Sequence, residues 1–137
     1  MKPVSVDFDA SVDVVFAYLV DPANRPAWQG SLRRTVDVVG DGSVGTTWTD
    51  VTAVGARPRM RVTELTPDRA WAETGSWHGV DADLRLDFEP TTTGTRVTAT
   101  VDVRTTTLLA PVGVALRRLA PGAVRGDLRR AARAVGS

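Results

Sequence analysis

The sequence predicts an α+β domain: a curved antiparallel sheet covered by one long C-terminal helix, with two short helices after the first strand. Three observations lead there. A short segment near the start has its apolar residues at helical spacing. The middle of the chain alternates apolar and polar residues in strand-length runs. From Leu108 the period becomes helical again, in an Arg/Ala/Leu-rich stretch over 108–135. A sheet with one apolar face needs a cover, and the last helix is the obvious one. A helix laid across a curved sheet can leave a cavity beneath it, so the order of elements already suggests a ligand chamber.

Each element has its own signal. Val4, Val6 and Phe8 alternate with Ser5, Asp7 and Asp9, the pattern of a strand with one buried face. Ser11 offers an N-cap, and Asp13 suits the positive end of a helix dipole. Val12, Val15, Phe16 and Leu19 then make the buried stripe of a short helix. Asp21-Pro22 starts a second helix, which Pro26 keeps short. Residues 32–39 and 46–54 read as strands around the turn Gly40-Asp41-Gly42-Ser43. Residues 58–66 and 69–77 are strands on either side of Pro67-Asp68. The clearest strand is 80–89, where Val80, Ala82, Leu84, Leu86 and Phe88 alternate with Asp81, Asp83, Arg85, Asp87 and Glu89. After Thr91-Thr92-Thr93-Gly94, the residues Val97, Ala99, Val101 and Val103 repeat that alternation, so 80–103 is a hairpin. In the last helix Leu109, Val112, Leu116 and Leu119 form one stripe, continued by Val124, Leu128, Ala131 and Val135. Pro121 removes a ladder bond and crowds the preceding turn. A kink or break is therefore expected there, giving limbs of about 108–120 and 122–135.

The bulk numbers narrow the function. The 137 residues suit a single domain spanning 1–137, and 42% hydrophobic content is enough for a core. The net charge of +1 gives no field that favours nucleic acid. With no cysteine, disulfides, thiolate nucleophiles and Cys-based metal sites are excluded. A single histidine, His78, cannot build a multi-His site, and no Asp-rich loop has calcium-site spacing. No metal and no cofactor are expected. The N-terminal stretch Met1–Asp7 lacks the apolar run of a signal peptide, and no segment has the ~20 apolar residues of a membrane span. The expectation is a cytoplasmic protein.

Three stretches resemble the SRPBCC superfamily, which includes START-related lipid domains, pathogenesis-related plant allergens and bacterial polyketide cyclase/dehydrase-like proteins. The first is the opening strand and helix with Asp21-Pro22-Ala23-Asn24-Arg25-Pro26-Ala27-Trp28. The second is Gly45-Thr46-Thr47-Trp48 with Val62-Thr63-Glu64-Leu65-Thr66-Pro67. The third is Phe88-Glu89-Pro90 and Gly94-Thr95-Arg96-Val97 ahead of the amphipathic helix. The resemblance covers nearly the whole chain. It implies a helix-grip fold, with the sheet wrapped around the final helix and a cavity between, and it implies small apolar ligands. Fold does not fix function.

Of the tryptophans, the resemblance makes Trp28 an anchor for the second short helix. Trp48 is the best candidate to line a pocket, while the strand parity of Trp71 and Trp77 is open between lining and core. Ligand contact is expected from Trp48, Met60, Val62, Trp71, Trp77, Leu84, Leu86, Val101, Leu116 and Leu119. The weak acid–base candidates are Asp50, Glu64, Glu73 and His78. Asp50 shares a face with Trp48, and Glu64 is expected to share one with Met60 and Val62. A buried carboxylate has a raised pKa suited to proton shuttling. The plainer alternatives are pairing with Arg59, Arg61 or Arg69, and a solvated loop position for His78. Arg117, Arg118, Arg125, Arg129, Arg130 and Arg133 face one acid, Asp127, on the last helix. They read as a solvated face, with a weak contact to anionic membrane or an acidic carrier as the functional alternative. Ala115, Ala120, Ala123 and Ala131 either leave room for a ligand or serve as helix formers. The resulting expectation is reversible binding of a small hydrophobic molecule by a monomer or homodimer without nucleic acid. A polyketide cyclase or dehydratase type of enzyme is the alternative.

Overall fold

The computed structural model describes residues 3–136; Met1 and Lys2, which begin the N-terminal stretch read above, and Ser137 lie outside the described residues. Strand β1 (Val4–Phe8) leads into helix α1 (Val12–Val20), a 3-10 turn (Pro22–Asn24) and helix α2 (Arg25–Trp28). Six strands follow: β2 (Leu32–Val39), β3 (Thr47–Thr52), β4 (Arg59–Thr66), β5 (Ala70–Trp77), β6 (Val80–Pro90) and β7 (Thr95–Thr105). A second 3-10 turn (Thr107–Leu109) enters helix α3 (Ala110–Gly136).

The seven strands form one antiparallel sheet in the order β1-β7-β6-β5-β4-β3-β2. Sequential hairpins account for all of it except β1, which pairs with β7 at the far edge. The two short helices therefore carry the chain from one edge of the sheet to the other. They close one end of the concave face, where the Phe16 and Phe88 rings meet edge-on at 5.0 Å. The β6–β7 hairpin runs in unbroken register, with Leu84 opposite Val101 and Leu86 opposite Ala99. Its polar face carries ion pairs, among them Arg104–Asp83 and Arg85–Glu64. Gly94 is required at its turn: a Cβ there would stand 1.9 Å from the Phe8 carbonyl oxygen.

The long helix has no break at Pro121. It runs unbroken from Ala110 to Gly136 with Pro121 inside it. Pro121 removes one ladder bond and frees the carbonyl of Arg117. Arg117 and its neighbours are exposed, so water can take that carbonyl and the helix continues. The core lies under its C-terminal half. Leu128 and Ala131 are fully buried there, clustered with residues that include Phe8, Val15, Leu19, Trp71, Leu86 and Val97.

Candidate functional site

The N-terminal half of α3 meets the sheet at β7, where Gly113 packs on Thr105, but it stands off β4, β5 and β6. In that gap lies a cavity of about 540 Å³. Val112 and Leu116, one helical turn apart, form its lid, and Met60, Gly75, Trp77, Val80 and Ala82 form its sheet wall. The space comes from the sheet. Gly75 and Ala82 are register partners on the inner face, and both are small. A Cβ on Gly75 would come within 2.6 Å of the Met60 sulfur. The helix alanines do not line the cavity: Ala131 is packed in the closed core, while Ala115 and Ala123 are exposed. A two-residue turn, His78–Gly79, sets the rim. Both residues have positive φ, 47° and 82°, as a tight twisted hairpin turn requires. It pairs Trp77 with Val80 at the edge of the wall.

One end is polar: Asp50 and Glu73 form its buried part, and Gln29, Thr52 and the exposed Ser31 continue it outward. Arg25 organises it. Asp21 accepts a hydrogen bond from the Ala23 N–H at 3.0 Å, which fixes the 3-10 turn that delivers α2. Arg25, on the first turn of α2, is 1% exposed and Glu73 is 4% exposed. The guanidinium donates from Nη1 to Glu73 Oε2 at 2.6 Å and from Nη2 to Oε1 at 2.8 Å. Its Nε donates to Gln29 Oε1 at 2.9 Å. It also lies 5.4 Å from the Trp71 ring centroid, 5.6 Å from Trp48 and 5.8 Å from Trp28, within cation–π range. Burial opposes the charge on Arg25, but Glu73, helped by Asp50 and Asp127, outweighs it and raises the pKa. Breaking one half of such a pair would strand the other charge in the core.

Asp50 stands beside this pair, 7% exposed. Its Oδ1 accepts from Trp48 Nε1 at 2.8 Å. Its Oδ2 takes no hydrogen bond from any described residue. Burial pushes the carboxyl pKa up to about 6, with Glu73 adding to the rise while Arg25 and the Trp48 N–H oppose it.

The structure divides the residues singled out in the sequence. Met60, Trp77 and Leu116 line the cavity. Trp48, Val62, Trp71 and Leu86 face inward but lie in the closed core, and Trp28 is buried there too. Leu84 and Val101 face each other across β6 and β7 and do not reach the cavity. Leu119 is 70% exposed, because its helix position turns it away from the sheet. Asp50 and Glu73 point inward. Glu64 does not share the face of Met60 and Val62: a register irregularity between Val62 and Glu64 reverses the alternation, and Arg85 holds Glu64 at 2.5 Å on the outer face. His78 is exposed in its turn, its ring edge-on to Trp77 at 4.5 Å. The partner of Glu73 is Arg25, and not Arg59, Arg61 or Arg69. Sequence reading missed Arg25, Gln29, Gly75 and Val112. Val112 was legible, as the residue one turn before Leu116.

Two of the helix arginines fasten α3. Arg117 Nε donates to the Val103 carbonyl at 3.0 Å, and Arg130 Nε to the Trp28 carbonyl at 3.1 Å. Arg130 also pairs with Asp127, which accepts from the Gly30 N–H at 3.1 Å. Among the described residues no group of His, Cys, Asp and Glu is arranged to hold a metal ion, and no described helix is long and apolar enough to cross a membrane.

An antiparallel sheet gripping a long C-terminal helix over an apolar chamber defines the helix-grip class. Residues 3–136 match the family described as polyketide cyclase / dehydrase and lipid transport, and the chain belongs to that family within the SRPBCC superfamily. Solved structures agree on the fold. The di-domain ARO/CYC StfQ from the steffimycin biosynthetic pathway superposes with a TM-score of 0.79 at 16% identity, over 98% of this chain and 49% of StfQ. Ara h 8.0201 gives 0.77 at 14% identity, over 98% and 95% of the two chains. CV1439 from Chromobacterium violaceum gives 0.69 at 17% identity, over 99% and 96%. No curated protein matches the sequence.

Proposed function

We propose that this protein reversibly binds a small hydrophobic molecule in the chamber between the sheet and the N-terminal half of α3. The observation that carries the reading is the chamber itself, about 540 Å³, apolar along its walls and polar at one end. Its size lies in the range of small-molecule pockets. Ligand burial would contribute roughly 25 cal/mol per Å² of apolar surface, and the polar end would set orientation. Titration with the neutral dye Nile red tests this. The expected result is saturable one-to-one binding that Ala82→Phe abolishes without lowering the Tm, because the new ring fills the space beside Gly75. Undiminished binding by Ala82→Phe would place the dye elsewhere and refute the reading.

A second reading rests on Asp50. A buried carboxyl at the inner end of a cavity, with its pKa pushed up to about 6, is placed to move protons near neutral pH. On a polyketide-like substrate this would be cyclase or dehydratase chemistry. It requires that Asp50→Asn remove turnover while sparing binding of the apolar body. Glu64 and His78 lie outside the chamber, and Glu73 is bound to Arg25, which leaves Asp50 as the acid–base candidate.

A further inference from the structure

The polar end of the chamber has a sign as well as a polarity. Two carboxylates reach its surface, Asp50 and Glu73, and among the described residues no Arg or His does. The nearby cation, Arg25, is committed: both Nη atoms go to Glu73 and its Nε goes to Gln29. With Arg25 and Glu73 cancelling, the end carries the charge of Asp50. That side chain is more than nine-tenths buried, borders the cavity, and has one oxygen, Oδ2, without a hydrogen bond from any described residue. Unlike the Trp28 and Trp71 indole N–H groups, which are sealed without a partner among the described residues, Oδ2 is open to a donor that enters from the chamber. Gln29 and Ser31 can serve a ligand's acceptor atoms, but neither carries charge.

We propose that the ligand's polar end is a hydrogen-bond donor, a hydroxyl or an ammonium, received by Asp50, and that the chamber rejects apolar molecules ending in a carboxylate. This rests on the ligand-binding reading above and narrows it. A carboxylate head would sit against a like charge in a poorly screened site. A donor head would satisfy Oδ2, and an ammonium would add charge assistance.

Displacement of Nile red by decanol, decylamine and decanoate at about pH 8 tests the proposal, since the acid is then ionised and the amine protonated. Decanol and decylamine are expected to displace the dye at about tenfold or more lower concentration than decanoate. Asp50→Asn is expected to close the gap between decylamine and decanoate. Decanoate displacing as well as the other two would overturn the proposal while leaving ligand binding intact. So would a gap that persists in Asp50→Asn. Failure of Nile red to bind saturably would instead remove the ligand-binding reading, and the proposal with it. The wild-type protein gives an independent check, because neither decanol nor decylamine titrates between about pH 5 and about pH 8. The groups acting on Asp50 are Glu73 from β5, Arg25 from α2 and the Trp48 N–H on its own strand. Charge assistance is expected to make decylamine the better displacer of the two at about pH 8, and that advantage should shrink several-fold at about pH 5, where Asp50 is mostly protonated. An unchanged advantage would contradict the assignment to Asp50.

Discussion

The two halves of α3 have the same helical period and opposite surroundings. Beyond Pro121, Leu128 and Ala131 are fully buried against the sheet and α1. Before it, Val112 and Leu116 are partly exposed over the chamber and Leu119 faces solvent. The difference lies in what the sheet presents. Under the C-terminal half it offers Phe8, Val97, Leu86 and Trp71, which fill the gap. Under the N-terminal half it offers Gly75 and Ala82, which do not. The C-terminal half therefore packs along its apolar stripe, while the N-terminal half is held to β7 by Gly113 and Arg117 and leaves Val112 and Leu116 over the open chamber.

Substitutions sharpen this contrast. The largest effect is expected at Leu128→Ala, which opens a void in the closed core and should cost about 2–5 kcal/mol in denaturant unfolding. A loss below about 1 kcal/mol would mean that the C-terminal half is not packed as described. Asp50→Asn comes next and has the opposite sign. The folded pKa of Asp50 is about 6 against 3.8 for the ordinary carboxyl, so between those values the folded state holds the extra proton. Wild-type stability therefore falls as pH rises through that window. The variant avoids the loss, matching wild type near pH 4 and exceeding it by about 2–3 kcal/mol at pH 8. Equal stability at the two pH values would show that Asp50 is not buried as a charge. The smallest effect belongs to Leu119→Ala, which should stay within about 0.5 kcal/mol of wild type because the side chain is already in water.

Most of the fold could be read from the chain, because strict alternation over 80–103 and the helical stripe of α3 leave little choice of face. The long β6–β7 hairpin follows that reading. The candidate site was only half legible. Period-2 logic put Asp50 on the face of Trp48 correctly, but it put Glu64 inside, because a register irregularity cannot be seen in a string of alternating residues. Arg25 was hidden for a different reason. An arginine on a one-turn helix looks solvated until Trp28 of the same turn and the distant Trp48, Trp71 and Glu73 close around it. Bulky residues drew attention as pocket walls, yet most of them pack the core, and the chamber exists where the sheet is small.

The central claim, that the N-terminal half of α3 is completed by a ligand and the C-terminal half is not, is tested most directly by amide hydrogen exchange with and without Nile red. Amides of residues 110–120 are expected to exchange fast in the free protein and to become protected on binding, while those of 124–135 stay protected in both states. Equal protection of the two halves without ligand, or protection gained only in the C-terminal half, would contradict it.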